Sequence, residues 1–304
     1  MKKLYALSLI GILLSACEKE DPWTRDWPAG SLTDGFCISF ADSIFLNHED
    51  IACYDMSTHM IYLREPLSLL QDQVLSELAE IPFTVYADSR PVYTGKLWPA
   101  WFSMIPSGPF IQYPSFYPAY VVPIGYRSSL FTTRPDTLTD PREDAIIVQA
   151  LEKYDQLREG LSVSIDEIDV HPGGGVSFSF IVTNRDDTNY YILSPEKMGS
   201  GLFHYFTNGL FLYNQETGWL VPHEEEITPE PWDSWDPQWL DLLKGNSSLQ
   251  YSIEYELFDE VPPGHYDASF RFPGLSHVEQ SDIERSRGRI WLGEISASSV
   301  LTLN

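Results

Sequence analysis

A chain of 304 residues can hold one large domain or two ordinary ones, and 43% hydrophobic with 14% aromatic residues is enough to fill a core. With 21% charged residues, the composition is that of a globular protein and excludes a disordered, collagen-like or coiled-coil chain. Nineteen Lys and Arg against 44 Asp and Glu leave a net charge of −25, a field that repels phosphate backbones and so excludes nucleic acid as a partner.

Lys2 and Lys3 precede an apolar run from Leu4 to Leu14, too short to span a bilayer, which reads as a signal peptide. The run ends Leu14-Ser15-Ala16-Cys17. This resembles the lipobox of bacterial lipoproteins, which implies that Cys17 carries the lipid, diacylglycerol with palmitate-type chains, and becomes a membrane anchor. Cleavage there removes both lysines and no acid, leaving −27. The following Glu18-Lys19-Glu20-Asp21 resembles the acidic export signal of Bacteroidota lipoproteins, which implies an outer-membrane protein facing the cell exterior; a solvated tether facing the periplasm is the alternative. Residues 18–31, with Pro22, Pro28 and Gly30, read as that tether. No later run of apolar residues reaches transmembrane length.

Residues 32–138 read as an α+β domain. Phe36 to Leu46 and Met60 to Leu63 have strand character, Leu70, Val74 and Leu78 recur at helical spacing over 68–79, and Ile81 to Tyr86 returns to strand. The segment Pro91 to Tyr126 stands apart, with seven prolines, ten aromatics and a single charge, Lys96. Proline at that density predicts extended or turning backbone and no central strand. Its rings either cover the first domain as a lid or stay exposed as a ligand platform. Asp140-Pro141-Arg142-Glu143 is a helix start, with a cap, Pro at the first helical position and Glu three residues after the cap. It predicts a connecting helix over 139–160, with Ile147, Leu151 and Tyr154 on one face and Gly160 as its stop.

From Leu161 onward, period-two segments recur at Ser162–Val170, Val176–Thr183, Leu249–Phe258, Tyr266–Phe272 and Arg289–Leu303, the pattern of a β-sandwich. Thr183-Asn184 closing one strand and Pro263-Gly264-His265-Tyr266 opening a late one resemble bacterial immunoglobulin-like domains. The resemblance implies a sandwich over 161–304 in which the Tyr266 hydroxyl ties back to the preceding turn. It departs from that family in length and in lacking a Cys…Trp…Cys core, with the surplus expected in 195–209 and 222–248. The overall expectation is a mainly β chain with a smaller α+β part.

Motifs for chemistry are mostly missing. His48-Glu49 and His223-Glu224 begin like a zinc-binding HExxH, but Ala52 and Ile227 stand where the second His belongs. No Walker A, GxSxG or GxGxxG occurs. A metal cluster from His48, Glu49, Asp50, Cys53 and His59 competes with a plainer reading, in which Asn47 caps a turn and Cys53 is structural; neither a metal nor a cofactor is expected. In an oxidising compartment Cys37 and Cys53 are either a disulfide or two buried thiols. Asp42-Ser43-Ile44 and Asp136-Thr137-Leu138 resemble the O-glycosylation sites of exported Bacteroidota proteins.

The candidate site is the loop from Pro222 to Asp241, where seven acids interleave with Trp232, Trp235 and Trp239. An indole face packs on the C–H side of a pyranose while carboxylates such as Asp233 and Asp236 accept from its hydroxyls. The same loop can also plug the end of a sandwich, or bind calcium without EF-hand spacing. The sequence points to a non-enzymatic surface binding or adhesion module for glycan. A structural accessory docking on an envelope protein is the alternative, and a glycoside hydrolase with two facing carboxylates the third.

Overall fold

A computed structural model describes residues 34–40, 43–67, 81–127, 140–171 and 174–303. The signal peptide with Cys17, the tether, the helix expected over 68–79 and the Asp136-Thr137 motif lie outside the described residues. The described chain is mainly β with a few short helices.

In the first half, β1 (Phe36–Phe40), β2 (Ser43–Leu46), β3 (Ile51–Asp55), β4 (Met60–Leu63) and β5 (Pro82–Ala87) are followed by β6 (Arg90–Pro99), β7 (Gly108–Tyr113), β8 (Val121–Pro123) and β9 (Gly125–Arg127). One sheet has the order β2-β1-β5-β6-β7-β9. The second joins β3, β4 and β8 to the short β10 (Leu157–Arg158) in the order β10-β3-β4-β8.

The proline-rich segment therefore forms four strands, and β6 is an interior one, contrary to the sequence expectation. Its prolines sit where a ladder tolerates them. Pro91 pairs with Tyr86 beside a register shift, and Pro99 is the last residue of its strand. Two glycines complete the packing. Gly95 lies opposite Phe83, and a Cβ there would stand 2.2 Å from the Phe83 ring; Gly125 lies opposite Phe110, where the clearance would be 2.3 Å. Each ring lies over the bare backbone of the neighbouring strand, a cross-strand pairing that fixes register.

The predicted connecting helix is shorter than expected. Pro141–Glu143 is a single 3-10 turn capped by Asp140, and α1 (Ala145–Glu152) starts anew with the Asp144 carboxylate accepting from the Ile146 N–H. It stops at Glu152 rather than at Gly160: Asp155 adopts φ +55°, and the Gln156 N–H turns back to the Leu151 carbonyl. Ile147, Ala150 and Leu151 are buried in the first core with Phe36, Val85 and Leu97, so the helix is a wall of the first half and not a spacer.

The second half runs β11 (Leu161–Val170), β12 (Val176–Asn184), β13 (Tyr190–Leu193), α2 (Pro195–Met198), α3 (Ser200–Thr207), β14 (Leu210–Asn214), β15 (Gly218–Leu220) and β16 (Leu240–Leu243). It continues with β17 (Ser248–Tyr255), β18 (Gly264–Phe272), α4 (Gln280–Ile283), β19 (Glu284–Arg285), β20 (Gly288–Ile290) and β21 (Ile295–Leu303). Sheets β11-β12-β17 and β15-β14-β18-β21 face each other across phenylalanines: Phe180 and Phe178 lie 4.6 and 5.0 Å from Phe270, centroid to centroid. The surplus chain supplies α2, α3 and β16, the last joining a third sheet of order β16-β13-β20-β19. The Tyr266 hydroxyl donates to the Pro262 carbonyl at 2.7 Å. The strand expected over 289–303 is broken by Trp291 and Leu292, which are buried.

The halves share a sheet. Along β4, Ile61 and Leu63 point into the first core, whereas Met60 and Tyr62 point into the second, joined there by Cys53, Tyr120 and Val121. The crossover at Glu159-Gly160 is clamped from both sides. Asp186 accepts from the Glu159 and Gly160 N–H groups and from the Tyr190 hydroxyl, while the Ser57 hydroxyl accepts from the Leu161 N–H. Gly160 has φ +76°, and a Cβ there would meet the Ser57 hydroxyl at 2.3 Å.

Candidate functional site: a cleft between the halves

Three loops that are far apart in sequence meet at the boundary of the two halves. The turn Pro114–Tyr120 follows β7, the stretch Pro231–Asp236 lies between β15 and β16, and residues 273–280 lead from β18 into α4. The first two each start at a cis X-Pro peptide, Tyr113-Pro114 and Glu230-Pro231. The first is tied by the Tyr117 N–H on the Ser115 hydroxyl, and the second by the Ser234 N–H on the Pro231 carbonyl. Leu275 and Val278 anchor the third in the second core. Tyr120 then reaches across, its hydroxyl donating to the Val278 carbonyl at 2.6 Å.

Between them lies a two-lobed cleft. The larger lobe encloses about 830 Å³ and the smaller about 470 Å³; Tyr117, Asp233, Ser234, Trp235, Ser276 and His277 belong to both. Each volume suits one or two sugar rings or a comparable small ligand. Phe116 at the larger lobe and Trp232 at the smaller are 67% and 61% exposed, so each presents an open ring face. Trp235 is half-buried against the second core with the Arg285 guanidinium 5.9 Å from its ring. His277 stands edge-on to Trp232, centroids 5.1 Å apart.

The polar lining is acidic or neutral. Asp233 and Glu279 line the larger lobe, Glu226, Asp233 and Glu294 the smaller, and neither is lined by Lys or Arg. Such a lining accepts hydrogen bonds from hydroxyls and disfavours anions. Burial, with the Glu294 charge nearby, pushes the Tyr117 hydroxyl up to about 12, so it stays a donor. The Ser276 hydroxyl lies 2.8 Å from His277 Nδ1, but no carboxylate among the described residues hydrogen-bonds that imidazole. The pair therefore lacks the orienting third group of a nucleophilic triad.

The sequence-predicted platform divides. Trp232, Asp233 and Trp235 line the cleft, whereas Trp239 and Asp236 do not. Trp239 packs against the second core with Phe206, and the Asp236 carboxylate caps the 3-10 turn Pro237–Trp239 by accepting from the Gln238 N–H. That end of the loop is the plug. Asp241 is also structural. Its own burial would raise its carboxyl, but the Lys197 ammonium and the Tyr251 hydroxyl hold it below the usual carboxylate range. Read from sequence, Ser276 and Glu279 have no role in the site and His277 is a turn or surface residue; Leu275 and Val278, two apolar anchors in a polar loop, are the available signal.

Cys37 and Cys53 are not bridged. They occupy different sheets, Cys37 on the strand face opposite Phe36 and Ile38, Cys53 in the second core. Burial pushes both thiols up, Cys37 to about 12, and the Cys53 sulfur accepts from Arg289 at 2.9 Å. The metal cluster imagined around His48 also disperses. Asn47 caps its turn by accepting from the Glu49 N–H, His48 stacks on Tyr154, and His59 turns inward to the Tyr54 hydroxyl. His59, Asp140 and Glu143 do come within ligating distance of one another. The Arg142 guanidinium already occupies both Asp140 oxygens, so that trio is a poor cation site.

No protein-family model matches the chain, and no curated protein matches it. Among the described residues, no helix is long and apolar enough to cross a membrane.

Proposed function

We propose that this protein is a lipid-anchored surface binding module, non-enzymatic, whose cleft takes a neutral glycan chain. The observation that carries the reading is convergence. The two aromatic-rich stretches singled out by composition, 91–126 and 222–241, both line one cleft, through Ser115 to Tyr120 and Trp232 to Trp235. Open rings at Phe116 and Trp232 fit the C–H faces of pyranoses, and Asp233 and Glu279 fit hydroxyl donors. The anchor at Cys17 and the acidic residues after it support placement on the exterior of the outer membrane.

Affinity electrophoresis of the full chain in mild detergent, through gels containing neutral polysaccharides, tests the ligand. Retardation of the wild type and its loss in Trp232→Ala is the expected result; uniform mobility in every gel rejects the reading. Trp232 is exposed, so its replacement leaves the core untouched. Labelling with radioactive palmitate, lost in Cys17→Ser, tests the anchor.

A second reading is favoured by one specific observation. Trp101, Met104 and Ile105 project from the loop after β6 with 51%, 59% and 47% of their surface exposed, an apolar spur suited to a protein groove. As an accessory subunit the protein would dock through this spur. Recovery of one stable partner after crosslinking in cells, lost in Trp101→Ala/Met104→Ala, is the result that reading requires.

A further inference from the structure

The outer face of sheet β15-β14-β18-β21 carries a second recess, independent of the cleft. Strand alternation sends Leu212, Ala268 and Phe270 inward and leaves Phe211, Tyr213, Ser269 and Arg271 on the outside. On the edge strand, Trp219 is 62% exposed. Its ring lies 4.8 Å from Tyr213 and 6.2 Å from Phe211, which hold it upright at one side of a recess of about 560 Å³. Register places Ser269 between Phe211 and Ser298, and Arg271 opposite Ser296, so hydroxyls and one guanidinium form the other side.

The charge of this recess is opposite to that of the molecule. Acids outnumber bases 44 to 19 in the chain, and the cleft follows that balance. Here the lining holds Arg271 and no carboxylate, and Arg271 has no ion-pair partner among the described residues. An exposed guanidinium presents a fork matched to a carboxylate, and an exposed indole presents a flat apolar face. A ligand satisfying both has a ring with an apolar side and an anionic edge.

We propose that this sheet face is a second binding site, for an acidic saccharide: a uronate- or sialate-type residue with its ring on Trp219, its carboxylate on Arg271 and its hydroxyls on Ser269 and Ser298. The site does not rest on the reading of the cleft. An acidic peptide shares the anion but not the stacking ring.

The test is affinity electrophoresis of the full chain in mild detergent through gels containing polygalacturonate, hyaluronan or polysialic acid. Fully methyl-esterified polygalacturonate serves as the neutral counterpart and poly-L-glutamate as the peptide counterpart. Retardation by at least one acidic polysaccharide is expected, weakened tenfold or more by Trp219→Ala and by Arg271→Gln, only partly restored by Arg271→Lys, and absent with the methyl ester. Trp232→Ala, which reports on the cleft, should leave it unchanged, so the two sites fail or survive separately. Equal mobility in all acidic gels overturns the proposal, as does retention of Arg271→Gln at wild-type strength. Retardation by poly-L-glutamate that survives Trp219→Ala overturns it in favour of an acidic protein partner. All the substituted side chains are exposed, and an unchanged thermal melt confirms that each variant is folded.

Discussion

Asp55 shows how a single side chain is held at a cost. It lies at the junction of the halves, 2% exposed, with one oxygen accepting from the Ser57 N–H, the Ser57 hydroxyl and the Thr58 N–H. Those donors favour the carboxylate, but burial outweighs them and Asp186 adds a like charge, so the carboxyl is pushed up to about 6. The folded state therefore holds its proton more tightly than the unfolded chain does. Between pH 6 and about 4 that contribution to stability grows as pH falls, and above 6 the fold carries a buried charge costing about 3 kcal/mol. Asp55→Asn keeps an acceptor for the three donors and removes the ionisation. Urea unfolding should show the variant more stable than wild type at pH 7.5, by up to about that amount, with the difference shrinking to about 1 kcal/mol at pH 4.5 and nearly vanishing by pH 3.5. A difference independent of pH would assign the effect to packing instead.

Among elements, β6 is the one that sequence reasoning misjudged. Seven prolines in 36 residues argue against a central strand, yet proline forbids only those positions whose N–H must donate. Strand pairing decides which positions those are, and pairing partners are not visible along one chain. The same limit applies to the cleft. Trp232 and Trp235 were legible as a platform because the residue types and their spacing carry the chemistry, but Tyr117 and Tyr120 lie more than a hundred residues earlier and meet them only through the fold. Caps were legible at Asp140 because they are local, while the stop at Glu152 is set at Gln156, whose side chain donates to the His48 and Ile51 carbonyls far earlier in the chain. Tyr120, which joins two cleft walls, carries a prediction of its own. Tyr120→Phe leaves the Val278 carbonyl without its buried donor, at about 1–2 kcal/mol of stability. By loosening the wall it should also weaken glycan retention while leaving polygalacturonate retention untouched, a split that paired affinity gels resolve.

At the scale of the molecule, the sequence divided the chain at a helix, whereas the structure divides it within a sheet. Met60, Tyr62 and Val121 complete the second core from the opposite side of a sheet whose other face, with Ile61, Leu63 and Val122, closes the first. Neither half can lose its structure without exposing apolar surface of the other. Calorimetry of the full chain should show one unfolding transition, with calorimetric and van't Hoff enthalpies equal, rather than two. Two resolved transitions would mean that the shared face contributes little.

The shared sheet also sets an order in time. The last strand, Ile295–Leu303, pairs along its whole length with β18, and the second core closes only when it arrives. Until then Met60 and Tyr62, made some 230 residues earlier, belong to a core that still lacks Ile295 and Ala297. Contacts of such long sequence separation form slowly, and a growing chain holding them open is prone to stick to its neighbours. A protein built this way is best kept from closing until β21 has been made, and any product terminated before β21 should be a substrate for proteolysis and not a smaller working version of the whole.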